Sequence, residues 1–510
     1  MKSLLTFLAV CSLLVPAFAA PPPNIVVFLV DDMGVMDTSV PFLTDGAGQP
    51  VRHPLNAIYR TPNMECLAAR GIRFNNFEAM SVCSPSRVSL LTGQNAARHR
   101  TTTWINADTN NAGPHGPPDW NWLGLNKQSV TLPRLLAENG YRTILVGKGH
   151  LGARHTEGAD PQNLGFAVNI AGGANGAPGS YYGRQNYGNP VNGQPGRNAT
   201  NAVPGLEQYH GTDTFLTDAL TLEANAQVDA AVKDRQPFFL YLSHYAVHRP
   251  FDSDPRFAAH YQDSGQPPQE QAFATLIEGM DKSLGDVLDH LDRLGIAGNT
   301  LIIFLGDNGS DCPLGEAHDI RSAAPLRGKK GSHYEGGVRV PFIAAWARAD
   351  AANPNQRRLP IPAGAIQSQL ASIDDLFPTL LAFTGTKAPA GHVVDGARLD
   401  TLLSGQPDPD RKGTFLMHFP HSPHRSEYWT SYRDGAWKVI YHYFPSEASG
   451  GSRYQLFNLA RDPSESNNLA TAEPAELRRM MEALTAALVK CEAQYPVADD
   501  HATPVIPQLP

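Results

Sequence analysis

The stretch "SVCSPSRVSLLTG" (81–93) sets Cys83 two residues before Pro85 and four before Arg87, at the start of a helical pattern. A cysteine kept only for packing needs neither neighbour. Ser84-Pro85 can open a helix, because proline in the first turn sits where no backbone N–H is required. Helix N-termini attract anions, and Arg87 adds a cation one turn along. Elsewhere, chemically able residues stand at the ends of apolar runs. They are Asp31-Asp32 after "NIVVFLV", Lys148 and His150 after "YRTILVG", His248 after "FFLYLSHYAV", and Asp307-Asn308 after "NTLIIFLG". Asp31, Asp32, Asp307 and Asn308 offer oxygen ligands only, which suits Ca²⁺ or Mg²⁺ rather than zinc. Lys148 and His150 lie two apart, on one face of an extended segment. If these groups converge, three carboxylates, one divalent ion, Arg87, Lys148 and Lys330 leave two positive charges, a pocket for an anion. Any one Asp-Asp or Asp-Asn pair reads as a turn. The weight comes from agreement at four run ends.

Those runs must be strands for the residues to meet. Each is short, apolar and rich in β-branched or aromatic residues, the signature of a strand buried on both faces. Helical segments lie between them. "TPNMECLAARG" has Thr61 as N-cap, Pro62 at the first helical position and Gly71 as the stop. "SVTLPRLLAENG" precedes the second run and "QEQAFATLIEGMDKSLGDVLDHLDRLG" the fourth. Alternating strands and helices predict a doubly wound α/β fold with a mostly parallel sheet. In such sheets the site lies beyond the carboxyl ends of the strands. The Gly-, Asn- and Pro-rich stretch 169–205 is a long loop, and loops of that length are functional or disordered. Tyr181, Tyr182 and Tyr187 argue for order. Past residue 405, "YWTSYRDGAWKVIYHYF" and "RYQLFNLARD" alternate as antiparallel strands, and "EPAELRRMMEALTAALVKCEAQY" closes the chain as a helix. The expected division is 1–20 as a leader, 21–404 as the main domain and 405–510 as a smaller α+β domain with an antiparallel sheet.

The 510 residues carry 41 Lys and Arg against 49 Asp and Glu, a net charge of −8, with no basic runs, so nothing points to nucleic acid. Residues 1–20 read as a secretory signal, with Lys2, an apolar stretch and Ala17-Phe18-Ala19 as a cleavage site. The apolar stretch is short of the ~20 residues that a membrane span needs. No other segment is long enough to span a bilayer. The expected product is exported, periplasmic or secreted. Cys66, Cys83, Cys312 and Cys491 then remain, too few for a disulfide scaffold. With Cys83 reserved for chemistry, at most one bridge can form.

The chain resembles the formylglycine-dependent sulfatases of the alkaline phosphatase superfamily. The resemblance runs through "NIVVFLVDDMG", "CSPSRVSLLTG", "GKGHLG", "FFLYLSHYAVHRPF", "DNGSD", "LRGKKGSHYEGGVRVPFI" and "YQLFNLARDPSESNNLA". It implies an alkaline-phosphatase-like sandwich and oxidation of Cys83 to Cα-formylglycine by a formylglycine-generating or anaerobic maturing enzyme, with Pro85 and Arg87 completing the recognition motif. It also implies Ca²⁺ (or Mg²⁺) on Asp31, Asp32, Asp307 and Asn308, with the modified Cys83 joining the shell, and Arg87, Lys148, His150, His248 and Lys330 around the sulfate. One hydroxyl of the aldehyde hydrate attacks sulfur, with Asp32 as base. The other releases sulfate, with His150 as proton acceptor, and His248 or Lys330 protonates the leaving alcohol. Gly149 departs from the family, which often carries a larger residue there, and a looser pocket is expected.

The expected substrate is a sulfated carbohydrate, with aryl sulfates as accessory substrates. "HFPHSPHRSEYW" is dense in sugar-binding residue types, so His418, His421, His424 and Arg425 are candidates for the pocket border, as are His318 and Arg321. Two rival readings stand beside this one: a phosphatase or phosphonate monoester hydrolase on the same scaffold, and an inactive glycan-binding relative.

Overall fold

The computed structural model describes residues 21–422, 424–446 and 449–510. The expected leader lies outside the described residues. The described residues form fourteen strands: β1 Asn24–Val30, β2 Ile72–Phe74, β3 Phe77–Glu78, β4 Arg142–Gly147, β5 Val168–Ile170, β6 Phe238–His244, β7 Thr300–Gly306, β8 Phe342–Trp346, β9 Ala365–Gln367, β10 Ala371–Ser372, β11 Thr414–Phe419, β12 Trp429–Asp434, β13 Trp437–His442 and β14 Tyr454–Asn458. Eight build one sheet in the order β5-β4-β6-β1-β7-β8-β2-β9. The first five are mutually parallel, and β8 runs antiparallel to both neighbours.

The apolar runs are continuous because both faces of the sheet are covered. Val26, Phe28 and Val30 of β1 face one core and Ile25, Val27 and Leu29 face the other. The first core is closed by helices Pro62–Arg70, Leu216–Lys233 and Pro268–Arg293. The second is closed by Cys83–Thr92, Leu132–Glu138 and Leu376–Thr384. This is the expected α/β sandwich. Helix Pro268–Arg293 presents Phe273, Leu276, Ile277, Met280, Leu284 and Leu291 at three- and four-residue spacing, the stripe that one buried face needs.

Helix Pro62–Arg70 starts at the expected proline, but Thr61 does not cap it. Its hydroxyl accepts instead from Ser39 N (2.9 Å) and bonds Thr38 Oγ1 (2.8 Å) in the buried turn after β1. The free N–H groups of Asn63 and Met64 go to the Asp281 carboxylate at 3.0 and 2.8 Å. A tertiary partner therefore replaces the local cap. Gly71 does end the helix, and a Cβ there would lie 2.2 Å from Ala344 O of β8.

The C-terminal strands β11 to β14 form an antiparallel meander. Helix Pro474–Lys490 covers one face with Leu477, Met480, Leu484 and Leu488. Phe415, Met417, Phe419 and Trp429 on the other face pack on Met80, Val82, Tyr334 and Val338. Buried Lys438 bridges Glu335 (3.0 Å) and Glu465 (2.9 Å), joining this sheet to the segment that follows Lys330. Cys66, Cys83, Cys312 and Cys491 are all free thiols. No helix among the described residues is long and apolar enough to cross a membrane.

Candidate active site

The carboxyl ends of β4, β6, β1 and β7 lie side by side, and the residues that follow them meet there. Asp31, Asp32, Asp307, Asn308, Arg87 and Lys148 are fully buried. Oxygens of Asp31, Asp32 and Asp307 lie within 4.8 Å of one another. Lys148 Nζ donates to Asp31 Oδ2 (2.6 Å) and Lys330 Nζ to Asp32 Oδ2 (2.8 Å). Arg87 Nε donates to Asp307 Oδ2 at 2.9 Å. Asp32 N donates to Asp307 Oδ1 (3.0 Å) and Asn308 Nδ2 to Asp32 Oδ1 (2.9 Å), which locks the two strand ends together.

Three anions in one buried place perturb each other. Burial, opposed by Lys148, raises the Asp31 carboxyl to about 6, and burial with the Asp31 charge does the same for Asp307. Burial also acts on Asp32, but Lys330, His248 and Lys148 overcome it and hold that carboxyl well below its ordinary range. Asp31 Oδ1 and Asn308 Oδ1 are buried without a hydrogen-bond partner. Buried oxygens seldom stay unpaired without a reason. Two orphaned oxygens among hard donors fit a Ca²⁺- or Mg²⁺-type cation. Cys83 Sγ does not join this oxygen cluster. It faces His150 instead, as suits a soft thiol.

Cys83 is the first residue of helix Cys83–Thr92, with Val82 as an extended N-cap and Pro85 in the first turn. Each residue of C-S-P-S-R has a place. Ser84 Oγ accepts from Ile105 N (3.0 Å) and Ser86 Oγ from Met80 N (2.9 Å). Arg87 turns toward Asp307 rather than back to Cys83. Cys83 Sγ lies 3.3 Å from His150 Nδ1, while His150 Nε2 lies 2.6 Å from Ile105 O. The carbonyl can only accept, so Nε2 carries the proton. Nδ1 then directs its lone pair at position 83. Burial and Lys148 push the imidazole well below its ordinary pKa, so it is neutral. His150 (φ 56°) and Asp32 (φ 62°) both occupy the left-handed region, at a cost of about 1–3 kcal/mol each. A Cβ on Gly176 would lie 2.6 Å from the His150 ring, so only glycine lets that loop seat it. Gly149 does not loosen the pocket. Its would-be Cβ lies 2.9 Å from Gly173 O, and the 169–205 segment fills the room.

Above this floor opens a cavity of about 670 Å³, with Cys83, His150, His248 and Lys330 among its lining residues. His248 Nδ1 donates to Arg249 O (2.8 Å), and Nε2 lies 3.5 Å from Asp32 Oδ2. Of the candidate border residues, His424 and Arg425 line the cavity. A Cβ on Gly331 (φ 76°) would meet His424 Nδ1 at 1.9 Å, so glycine is needed beside Lys330. His421, His418, His318 and Arg321 are not among the cavity's lining residues, which corrects their reading as border candidates. His421 is buried between Thr102 Oγ1 (2.7 Å) and Ala112 O (3.2 Å), and His418 between Thr430 Oγ1 and Gln494 O, both 2.7 Å. His318 pairs with Ser426 Oγ at 2.9 Å. Arg321, with its side chain 69% exposed, lies near Asp319 on the surface. The three histidines are satisfied by protein partners and Arg321 by solvent, which residue type alone does not reveal.

The loops supply residues that the motifs did not single out: Trp104, Asn106, Asp108, Arg154, Arg249 and Asp311 also line the cavity. The adjacency of Arg249 to His248 and the place of Asp311 as the last residue of the "DNGSD" motif were the available signals.

Comparison with known proteins agrees with this geometry. The sulfatase family profile matches residues 23–386. N-acetylgalactosamine-6-sulfatase of Mus musculus is 32% identical over 437 residues, covering 82% of this chain and 74% of its own. Arylsulfatase A of Homo sapiens is 28% identical, covering 92% of this chain and 89% of its own. The crystal structure of Ps i-CgsB superposes with a TM-score of 0.69 at 25% identity, covering 92% of this chain and 93% of that one. With the strand-end carboxylates, the cysteine at a helix start and these matches in agreement, the chain belongs to the sulfatase family of sulfuric ester hydrolases.

Proposed function

We propose that the protein is an exported carbohydrate sulfatase with arylsulfatase activity, acting through a formylglycine made from Cys83 and a Ca²⁺ held by Asp31, Asp32, Asp307 and Asn308. The observation that carries the reading is the neutral His150, whose Nδ1 lone pair meets position 83 at 3.3 Å beside three clustered carboxylates. A thiolate serves turnover poorly here, because a sulfur-bound sulfate has no easy exit. A hydrated aldehyde at position 83 supplies one hydroxyl to attack sulfur and a second through which sulfate can be released. A divalent ion on the carboxylates supplies neutralisation of sulfate oxygens.

The remaining work falls to the protein. His150 Nδ1 accepts a proton from a hydroxyl at position 83, and Ile105 O fixes the tautomer that makes this possible. Arg87 holds Asp307 in place. Lys148 and Lys330 balance Asp31 and Asp32, so a divalent ion makes the set positive and receptive to an ester anion. His248 or Lys330 delivers the proton that a sugar alkoxide needs to leave. Sulfated glycans as substrate are supported by the relative that acts, by its name, on N-acetylgalactosamine 6-sulfate. A leader at 1–20 and a separate maturing enzyme belong to the same proposal.

The test uses protein co-produced with a maturing enzyme and offered 4-nitrophenyl sulfate, 4-nitrophenyl phosphate and a panel of defined sulfated sugars. Faster turnover of sulfate than phosphate, with cleavage of at least one sugar ester, is the expected result. A preference for phosphate moves the assignment to a phosphatase or phosphonate monoester hydrolase.

A further inference from the structure

The rim of the cavity carries a cation beyond those that face the three carboxylates of the floor. Arg249 Nη2 donates to Asp311 Oδ2 (3.2 Å), and Arg425 Nη2 donates to Asp311 Oδ1. Asp311 is 3% exposed, and its N–H donates to Asp32 O at 3.2 Å, so the carboxylate is fixed to the floor. Two guanidiniums share this one anion, which leaves a positive charge over. Arg154, also in the wall, differs: Asp108 balances it at 2.7 Å, and Thr200 O takes another of its donors. Arg425 gives its second donor to Lys330 O at 2.9 Å. Arg249 keeps the most capacity of the three. Its side chain is 59% exposed, and the bond to Asp311 is the only hydrogen bond its guanidinium makes among the described residues.

The neighbouring groups fit the same ligand. His424 Nδ1 accepts from Arg425 N (2.9 Å), so the neutral ring carries its proton on Nε2 and is a donor. A guanidinium fork and an imidazole N–H on one wall suit an oxyanion. The cavity, about 670 Å³, is far larger than one sulfate group and has Trp104 and Asp108 in its lining, an aromatic face and an acceptor for a sugar ring. Against a net charge of −8 for the chain, this local surplus is not a general property of the surface.

We propose that Arg249, held at the rim by Asp311, is a specificity-determining residue that binds a second anionic group of the substrate. That group is a sulfate or carboxylate on the ring bearing the scissile ester or on the ring joined to it. The inference rests on the reading that the cavity cleaves sugar sulfates, and it narrows that class to polyanionic glycans.

The experiment measures kcat/KM on four esters: 4-nitrophenyl sulfate, a monosulfated sugar, the same sugar disulfated, and the monosulfated sugar linked to a uronate. The wild-type protein is expected to prefer at least one doubly anionic ester over the singly anionic sugar by about tenfold. The preference should shrink as salt is raised. In Arg249→Gln the ratio should fall toward one through KM, and in Arg249→Lys part of it should return, since the ammonium keeps charge but not the fork. The disulfated and uronate arms tell which anion the rim takes. A wild-type ratio near one, an Arg249→Gln protein that keeps the full ratio, or an equal loss on all four esters overturns the proposal. Cleavage of 4-nitrophenyl sulfate with no sugar ester cleaved overturns the underlying reading and the inference with it, and no effect of Arg249 imitates that pattern.

Discussion

Removing the Asp307 carboxylate separates its part in a buried ion pair from its proposed part in holding calcium. Asp307 accepts from Arg87 Nε at 2.9 Å and from Asp32 N at 3.0 Å, with both side chains of the ion pair fully buried. In Asp307→Ala the Arg87 guanidinium stays buried and loses its principal anion, since Asp31 Oδ1 is the next carboxylate at 3.5 Å. Breaking a buried pair on one side costs about 3–5 kcal/mol. Asp307→Asn keeps one of the two acceptor oxygens, so either Asp32 N or Arg87 Nε then faces the amide NH2 instead of an acceptor, and its cost should be about 1–3 kcal/mol. Both losses should appear in EDTA, before any metal is added. Calcium at 100-fold its Kd should then stabilise the wild-type protein by about 2.7 kcal/mol, and both variants should lose most of that gain together with activity. Urea unfolding followed by tryptophan fluorescence, with EDTA and with calcium, reads all of these. An Asp307→Asn protein with the full calcium response would refute the metal assignment. An Asp307→Ala protein within about 1 kcal/mol of wild type in EDTA would refute the buried-pair reasoning.

Calcium binding should depend on pH. Asp31 and Asp307 are raised to about 6 in the metal-free fold, against about 3.9 for an unfolded aspartate. Across that window the folded chain holds more protons than the unfolded one, so these two groups take stability away as pH rises through about 6. Calcium must displace the same protons, so its affinity should rise from about pH 5 to pH 7; calorimetric titrations showing no change would contradict this. For the leaving group, His248→Ala and Lys330→Ala should be compared on a sulfated sugar and on 4-nitrophenyl sulfate. The variant lacking the true acid should lose about 10²–10⁴-fold on the sugar and far less on the phenol. Equal losses on both esters in both variants would reduce the two residues to sulfate binding.

Much of the floor was legible because it depends on local pattern. The apolar runs ending in Asp31-Asp32, Lys148, His248 and Asp307-Asn308 carry their own strand assignment, and parallel topology brings such ends to one edge. The antiparallel β8 was not legible, since "PFIAAW" reads as one more apolar run whose direction only tertiary pairing decides. The missing cap at Thr61 has the same origin: Asp281, far along the chain, reaches the helix N-terminus first. The upper cavity was read least well. His421 and His418 share residue type and neighbourhood with His424, yet the packing of β11 and β12 turns the first two inward to buried partners. Arg249 and Asp311 lay inside recognised motifs and bond each other directly, but the arrival of Arg425 on the same carboxylate depends on how the C-terminal sheet docks on the segment around Lys330.

The central claim is that chemistry begins at a modified Cys83, and mass analysis of the tryptic peptide that contains it tests this most directly. In active protein the peptide should be about 18 Da lighter than the cysteine form, as expected when a thiol becomes an aldehyde, and the converted fraction should track activity from one preparation to the next. A fully active preparation in which position 83 is unmodified cysteine would contradict the account.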